Sequence, residues 1–360
     1  MADIDAIARL RLIRTPQIGP VTYAQLIARF GDAAAAIEAL PELAARGGGR
    51  APKVADRGVA ERELAMVAKL GARHLFLGER DYPMLLAQLD DAPAAIMIRG
   101  DTALLARPVV AMVGARNASA AACRFARQLA AELVREQVSV VSGLARGIDT
   151  AAHVGSLDGG TIAVIAGGID VVYPPENAAL QERIAQDGLL IAEQPPGVEP
   201  RARHFPHRNR IIAGLALGTV VVEAAPKSGS LITARLAGEM GREVMAVPGS
   251  PLDPRAQGCN GLIRDGATLV QNAADVFETI RPIDAHMVRA PGAVFDAPPP
   301  DDADDAARRV VSDLLGPVPV AVDELIRQSG FGSAIVQTVL LELELAGRIE
   351  RHAGGRVSIF

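Results

Sequence analysis

From Arg201 to Gly214 the chain reads RARHFPHRNRIIAG, with four arginines, two histidines and no acidic residue before apolar sequence resumes. The formal net charge of the whole chain is −5, so this positive charge is a local concentration. Guanidinium groups such as Arg208 and Arg210 grip phosphate oxygens in pairs, with the amide of Asn209 between them. His204 and His207 offer further donors, and the ring of Phe205 offers a face for stacking. Four glycine-containing loops form a second set: Gly114, Ala115, Arg116, Asn117 and Ser119; Ser142, Gly143, Arg146 and Gly147; Gly167 and Gly168; and Lys227, Ser228, Gly229 and Ser230. Glycine lets a backbone approach a ligand closely, and free amides at a helix N-terminus attract anions. Arg116 and Lys227 add charge beside such amides. Together the loops suit a ligand carrying several phosphates, although Gly167 and Gly168 serve a tight turn equally well.

Bond-breaking chemistry is poorly supplied. VGARNAS (113–119) holds one glycine where the dinucleotide fingerprint needs three, and APKSGSLIT (225–233) does not match the phosphate loop of ATP-hydrolysing proteins. Asp149 reads as a helix N-cap and His153 as a packed histidine. Glu223 is a lone carboxylate at a strand end, and a glycosidic hydrolase would need an acidic partner beside it. Cys123 and Cys259 form no CxxC pair. No catalytic residue, metal ligand set or cofactor is therefore expected.

The elements that must position these residues follow from periodicity. Apolar runs at 109–115, 138–144, 161–167, 189–194, 219–225 and 243–249 end in glycine loops, with helical patterns between them. Strands apolar on both faces require helices on both sides, which predicts a doubly wound parallel sheet of the Rossmann type. Ligands then bind at the carboxyl ends of the strands, where the loops above lie. Residues 1–72 read as a small helical domain; its turn at Gly19 and Pro20 resembles half of a helix-hairpin-helix, but plain helical packing is the preferred reading. AARGGGRAPK (44–53) reads as a flexible loop. The parallel domain spans 73–284, a Pro- and Asp-rich linker 285–305, and three helices with a hairpin at 306–360 form a winged helix. The acidic N-terminus lacks the pattern of a signal peptide, and the longest apolar run, near 211–225, contains two glycines and is too short to span a bilayer. These features point to a reducing cytoplasm.

The stretches DYPMLLAQLDDAPAAIMIRGD (81–101), VGARNAS (113–119), VVSGLARGIDTAAH (140–153), YPPEN (173–177), FPHRNRIIAGL (205–215), VVEAAPKSGSLITA (221–234) and VPGSPLDPRAQGCNGLIRDGA (247–267) together resemble the DNA-processing protein A family, DprA, also called Smf. The resemblance implies an extended Rossmann-like core that dimerises and holds single-stranded DNA in a positive pocket without enzymatic turnover. It implies a protein that protects incoming strands, helps displace single-strand binding protein and loads RecA recombinase in natural transformation. Carried over by motif, the pocket would include Gly114, Arg116, Ser119, Arg208, Arg210, Lys227, Ser228, Gly229 and Ser230, with Arg146, Phe205 and Asn209 beside them. Ala115 and Cys259 stand where the family often has Ser and Thr.

The third helix of the winged-helix module, within GSAIVQTVLLELELAG (332–347), has no Lys or Arg and carries Glu342 and Glu344. Phosphate repulsion should keep it out of a duplex groove, so the module is expected to contact protein or pack within the assembly. Two other readings of the whole chain stay open: a nucleotide phosphoribohydrolase on a related fold, which would need a PGGxGT loop, and a protein-interaction adaptor.

Overall fold

The computed structural model describes residues 4–287, 302–352 and 354–359. The chain forms two compact units, one from residues 65–292 and one from 1–64 together with 293–360. Most of the stretch read as a linker, 285–305, lies outside the described residues.

The larger unit is built on a nine-stranded sheet. In chain order its strands are β1 (Arg73–Phe76), β2 (Ala95–Gly100), β3 (Val109–Val113), β4 (Ser139–Ser142), β5 (Thr161–Gly168), β6 (Leu189–Gln194), β7 (Gly218–Val221), β8 (Glu243–Ala246) and β9 (Thr268–Leu269). They lie in the order β1-β2-β6-β5-β4-β3-β7-β8-β9. Strands β3 to β9 pair in parallel, as the apolar runs predict. Strands β1 and β2 extend one edge in antiparallel fashion, an addition that hydrophobic periodicity alone does not predict. The connection between β1 and β2 carries only a one-turn helix, Met84–Ala87, and not the longer helix of the usual parallel crossover.

The faces of β3 show why the strands are apolar throughout. Val109, Ala111 and Val113 enter the core on one face, and Val110 and Met112 enter the core on the other. From β3 the chain runs outward through β4, β5 and β6, then returns to place β7 on the other side of β3. That reversal opens a crevice above the carboxyl ends of β3 and β7, the usual ligand position in such sheets.

Helices cover both faces. Along the chain the first twelve helices are α1 (Ile4–Ile13), α2 (Pro20–Phe30), α3 (Ala33–Arg46), α4 (Arg57–Lys69), α5 (Met84–Ala87), α6 (Ala120–Arg135), α7 (Ile148–Ser156), α8 (Ala178–Asp187), α9 (His204–Leu215), α10 (Gly229–Glu239), α11 (Gln257–Arg264) and α12 (Ala273–Met287), of which α1 to α3 belong to the smaller unit and not to the sheet. The arginine-rich segment folds from His204 onward as a helix, α9, with Arg201 and Arg203 just before it. Its C-terminal half buries Ile211, Ile212 and Leu215 in the core. Gly214 lets it sit close to its neighbours, because a Cβ there would stand 2.7 Å from Leu89 Cδ1.

In the smaller unit, helices α13 (Asp305–Asp313), α14 (Val322–Ser329) and α15 (Ser333–Leu345) join strands β10 (Val320–Ala321), β11 (Ile349–His352) and β12 (Arg356–Ile359). The strands form a three-stranded sheet in the order β10-β12-β11, the wing of a winged helix. Its core is built on Val311, Leu325, Val336, Val339, Leu340 and Leu343.

Residues 44–53 are not the loose loop that their glycines imply. A Cβ at Gly47 would lie 2.1 Å from the Glu342 carbonyl oxygen, and one at Gly49 would lie 2.4 Å from that of Ala346. These glycines are small so that the end of α3 can touch the end of α15 backbone to backbone. The two glutamates of α15 are likewise not a solvated acidic face. Glu342 is buried in a bidentate pair with Arg308 at 2.8 and 2.9 Å, and Glu344 accepts from Thr22 Oγ1 at 2.7 Å and from Arg351 Nε at 2.8 Å.

Candidate nucleic-acid interface

Two adjoining clefts, of about 380 and 700 Å³, open above the carboxyl ends of β3, β4, β5 and β7. They share Arg116, Asn117, Ala145, Phe205 and Arg208 as a common wall. The smaller cleft adds Gly143, Arg146 and Tyr173; the larger adds Gly114, Asn209, Lys227, Ser228, Gly229 and Ser230. Ten of the twelve residues singled out in the sequence thus meet in one place, and Ser119 and Arg210 do not.

Phe205, half-buried near the start of α9, is the ring at the centre. The Arg116 guanidinium lies 5.2 Å from its centroid and that of Arg208 6.0 Å, within the range of cation–π attraction. Tyr173 stands 5.8 Å away with its ring tilted by 59°. The site thus combines aromatic faces with cations.

Arg208 is buried, unlike the exposed Arg116. Its Nη1 donates to the Val164 carbonyl at 3.2 Å, and its Nε has no hydrogen-bond partner among the described residues. Burial lowers its pKa to about 10; nearby Asp149 pulls it upward and Arg116 pushes it further down. The group keeps its proton at neutral pH, so the cleft floor holds a fixed positive charge.

Asp149 is not an N-cap. Gly147 holds that position on α7, while the Asp149 carboxylate accepts from the amides of Gly143 at 3.2 Å and Ala145 at 3.4 Å. It therefore shapes the loop after β4. Burial raises its pKa, and Arg208 and these two amides counter the rise. His153 is a packed histidine, as its sequence context predicts, with Nε2 accepting from the Leu144 amide and Nδ1 2.7 Å from Thr161 Oγ1.

The loop after β7 presents a helix terminus. Ser228 is the N-cap of α10 but makes no capping bond; its hydroxyl lies 2.8 Å from that of Ser230. The first-turn amides of α10 are thus not consumed by the cap side chain, and they face the larger cleft beside Lys227. Lys227 has φ +64°, a left-handed conformation that costs a side chain about 1–2 kcal/mol. Such strain is often found where a backbone is shaped for a ligand.

Ser119 is committed elsewhere. Its amide and hydroxyl both donate to the buried Glu223 carboxylate, at 3.0 and 2.7 Å, and the same hydroxyl caps α6 through the Ala122 amide. Glu223 is accordingly no free carboxylate at the ligand edge: it fastens the loop after β3. Arg210 turns away from the clefts. It is buried against Glu193 at 2.5 Å and the Asp91 carbonyl at 2.5 Å. Residues 208 and 210 on one helix point in different directions, which charge counting cannot distinguish. His204 and His207 do not line the clefts either.

Asn117, from the first glycine loop, lines both clefts, and Tyr173 and Arg255, which the loop and charge patterns do not mark, complete the walls. Tyr173 opens YPPEN, and an aromatic just beyond the strand carrying Gly167 and Gly168 was the available signal. Among the described residues no group of three or more His, Cys, Asp or Glu side chains could hold a metal ion, and no helix is long and apolar enough to cross a membrane.

Comparison with known proteins agrees along the chain. Residues 73–281 match the family described as DNA recombination-mediator protein A, 3–66 match a DprA-like N-terminal HHH domain, and 295–355 match a DprA winged helix domain. DNA processing protein DprA of Streptococcus pneumoniae is 48% identical over 197 residues, covering 54% of this chain and 70% of that protein. The Bacillus subtilis DNA processing protein DprA is 43% identical over 222 residues, 61% of this chain and 75% of its own. The X-ray structure of the Streptococcus pneumoniae protein superposes with a TM-score of 0.61 at 38% identity, covering 72% of this chain and 86% of that one. A Helicobacter pylori DNA processing protein A structure, described for its single-stranded DNA binding mode, gives 0.53 at 30% identity over 58% of this chain and 96% of its own. With a family model matching more than half of its residues, and with its fold shared by solved relatives, the chain belongs to the DNA recombination-mediator protein A family.

Proposed function

We propose that the protein binds single-stranded DNA in the paired clefts as a recombination mediator, with no catalytic turnover. The observation that carries the reading is Phe205, a ring set between the Arg116 and Arg208 guanidiniums beside the open N-terminus of α10. Stacking on Phe205 and Tyr173 tolerates any base, while the cations and amides hold the phosphates. The Helicobacter pylori relative, described as binding single-stranded DNA, supports the same assignment. As family expectations carried to this chain, we propose a homodimer in the cytoplasm that protects incoming strands, displaces single-strand binding protein and loads RecA during natural transformation.

A phosphoribohydrolase reading is disfavoured because Glu223, the carboxylate it would use, is buried and occupied by Ser119. Fluorescence anisotropy with labelled oligo-dT and a matched duplex tests the proposal. Binding should favour the single strand, and Arg116→Ala with Phe205→Ala should abolish most of it. Neutralising three to five phosphates implies a log–log salt slope of about −2 to −3.5. Equal binding by wild type and double variant would refute the cleft as the site. Release of free base from nucleoside monophosphates would restore the enzyme reading.

A further inference from the structure

Helix α15 holds the position of the groove-reading helix in a winged helix, and two of its faces are buried. Val336, Val339, Leu340 and Leu343 fill the module's own core. Leu341 and Leu345 are equally buried but stand outside that cluster. By helical spacing they share a face with Gln337 and Glu344, and both polar residues bond to α2: Gln25 Nε2 donates to Gln337 Oε1 at 2.8 Å, and Thr22 Oγ1 donates to Glu344 at 2.7 Å. A helix that is apolar nearly all round is one that packs on two sides.

The rest of the contact is equally particular. Gly47 and Gly49 bring the end of α3 against the carbonyls of Glu342 and Ala346, and Arg348 Nη1 donates to the Gly47 carbonyl at 3.3 Å. Asp302, entering the module, meets Arg46 at 2.6 Å and Arg29 at 3.4 Å. Burial opposes its charge, yet these arginines hold its carboxyl below the ordinary range.

We propose that the winged-helix module is a clasp whose partner is the chain's own N-terminal helical domain, and that α15 is its inserted element. The surface that would enter a major groove is already occupied, so reading a duplex with α15 and closing the clasp are mutually exclusive. The two chain ends then behave as one cooperative unit.

Crosslinking in the full chain tests this directly. Gln25→Cys with Gln337→Cys, in a chain whose native Cys123 and Cys259 are replaced by Ser, is treated at low concentration with a short bismaleimide. The expected product is an intrachain crosslink in most molecules, seen as altered mobility on denaturing gels, with affinity for oligo-dT and for duplex within two-fold of the uncrosslinked chain. Labelling of both cysteines without crosslinking would overturn the clasp, and so would crosslinks only between chains. A drop of ten-fold or more in duplex affinity on crosslinking would show that α15 must leave to read DNA. Independently, Gly47→Leu should raise amide exchange in α15 at least ten-fold and leave β3 to β5 unchanged; unchanged exchange in α15 would contradict the contact.

Discussion

The guanidinium of Arg208 occupies the space that a side chain at Gly143 would fill: a Cβ there would stand 1.3 Å from Arg208 Nη1. One residue's lack of a side chain therefore sets where a buried charge can sit, and that charge forms the common wall of both clefts. Gly143→Ala should push Arg208 out of its pocket and lower oligo-dT affinity ten-fold or more. The check is anisotropy beside thermal melting. A variant that binds normally would show that Arg208 does not have to lie on the loop after β4.

Arg116 and Arg210 look alike in the sequence and should fail in opposite ways. Arg210 is buried and paired with Glu193, and removing one partner of a buried pair costs about 3–5 kcal/mol. Arg210→Ala should therefore lower the denaturation midpoint strongly while the folded fraction keeps its affinity. Arg116→Ala should leave the midpoint nearly unchanged and cost affinity. Denaturant titration and anisotropy on the same samples separate the two. Equal loss of affinity per folded molecule would return Arg210 to the cleft.

This contrast marks what the sequence made legible. The parallel strands and their loops were visible because apolar runs ending in glycine have few other uses, and the switch-point rule then gathers Gly114, Arg146 and Lys227 at one edge. The direction of each side chain on α9 was not visible, because it depends on acceptors distant in sequence: the Val164 carbonyl for Arg208, and Glu193 for Arg210. The glycines at 47 and 49 misled for a related reason. Composition cannot distinguish a glycine kept for freedom from one kept for closeness, and only the backbone of α15 decides it. The antiparallel edge strands were missed because β1 is four residues long and ends in a turn with no periodic helix behind it.

Glu223 offers a test of architecture against catalysis. Its two oxygens accept from both the amide and the hydroxyl of Ser119, and a glutamine keeps only one acceptor oxygen. Glu223→Gln should loosen the loop carrying Gly114 and Arg116, weakening oligo-dT binding several-fold. Ser119→Ala, which leaves the amide bond to Glu223 intact, should have a smaller effect. Hydrogen exchange over 114–119 should rise in step with the loss; weakened binding with unchanged exchange would mean that Glu223 acts on the ligand directly.

His153 predicts how the central domain responds to acid. Burial lowers its pKa from 6.5 to about 3, with the Arg208 charge adding to the effect, and its neutral form accepts the Leu144 amide proton through Nε2. The depressed value means that the unfolded chain takes up a proton at higher pH than the folded one does. The stability tied to neutral His153 is thus fully present above pH 6.5 and falls as the pH drops toward 3. Each pH unit below 6.5 costs about 1.4 kcal/mol, so at pH 5 the loss is about 2 kcal/mol. Buried Asp149 works in the other direction, because its raised pKa lets the folded state take up a proton first. The His153 contribution is isolated by comparing wild type with His153→Gln, whose amide oxygen can still accept from Leu144. The variant should be less stable at pH 7.5 but should lose about 2 kcal/mol less than wild type on going to pH 5. Parallel losses in the two proteins would mean that His153 takes up its proton without unfolding the site.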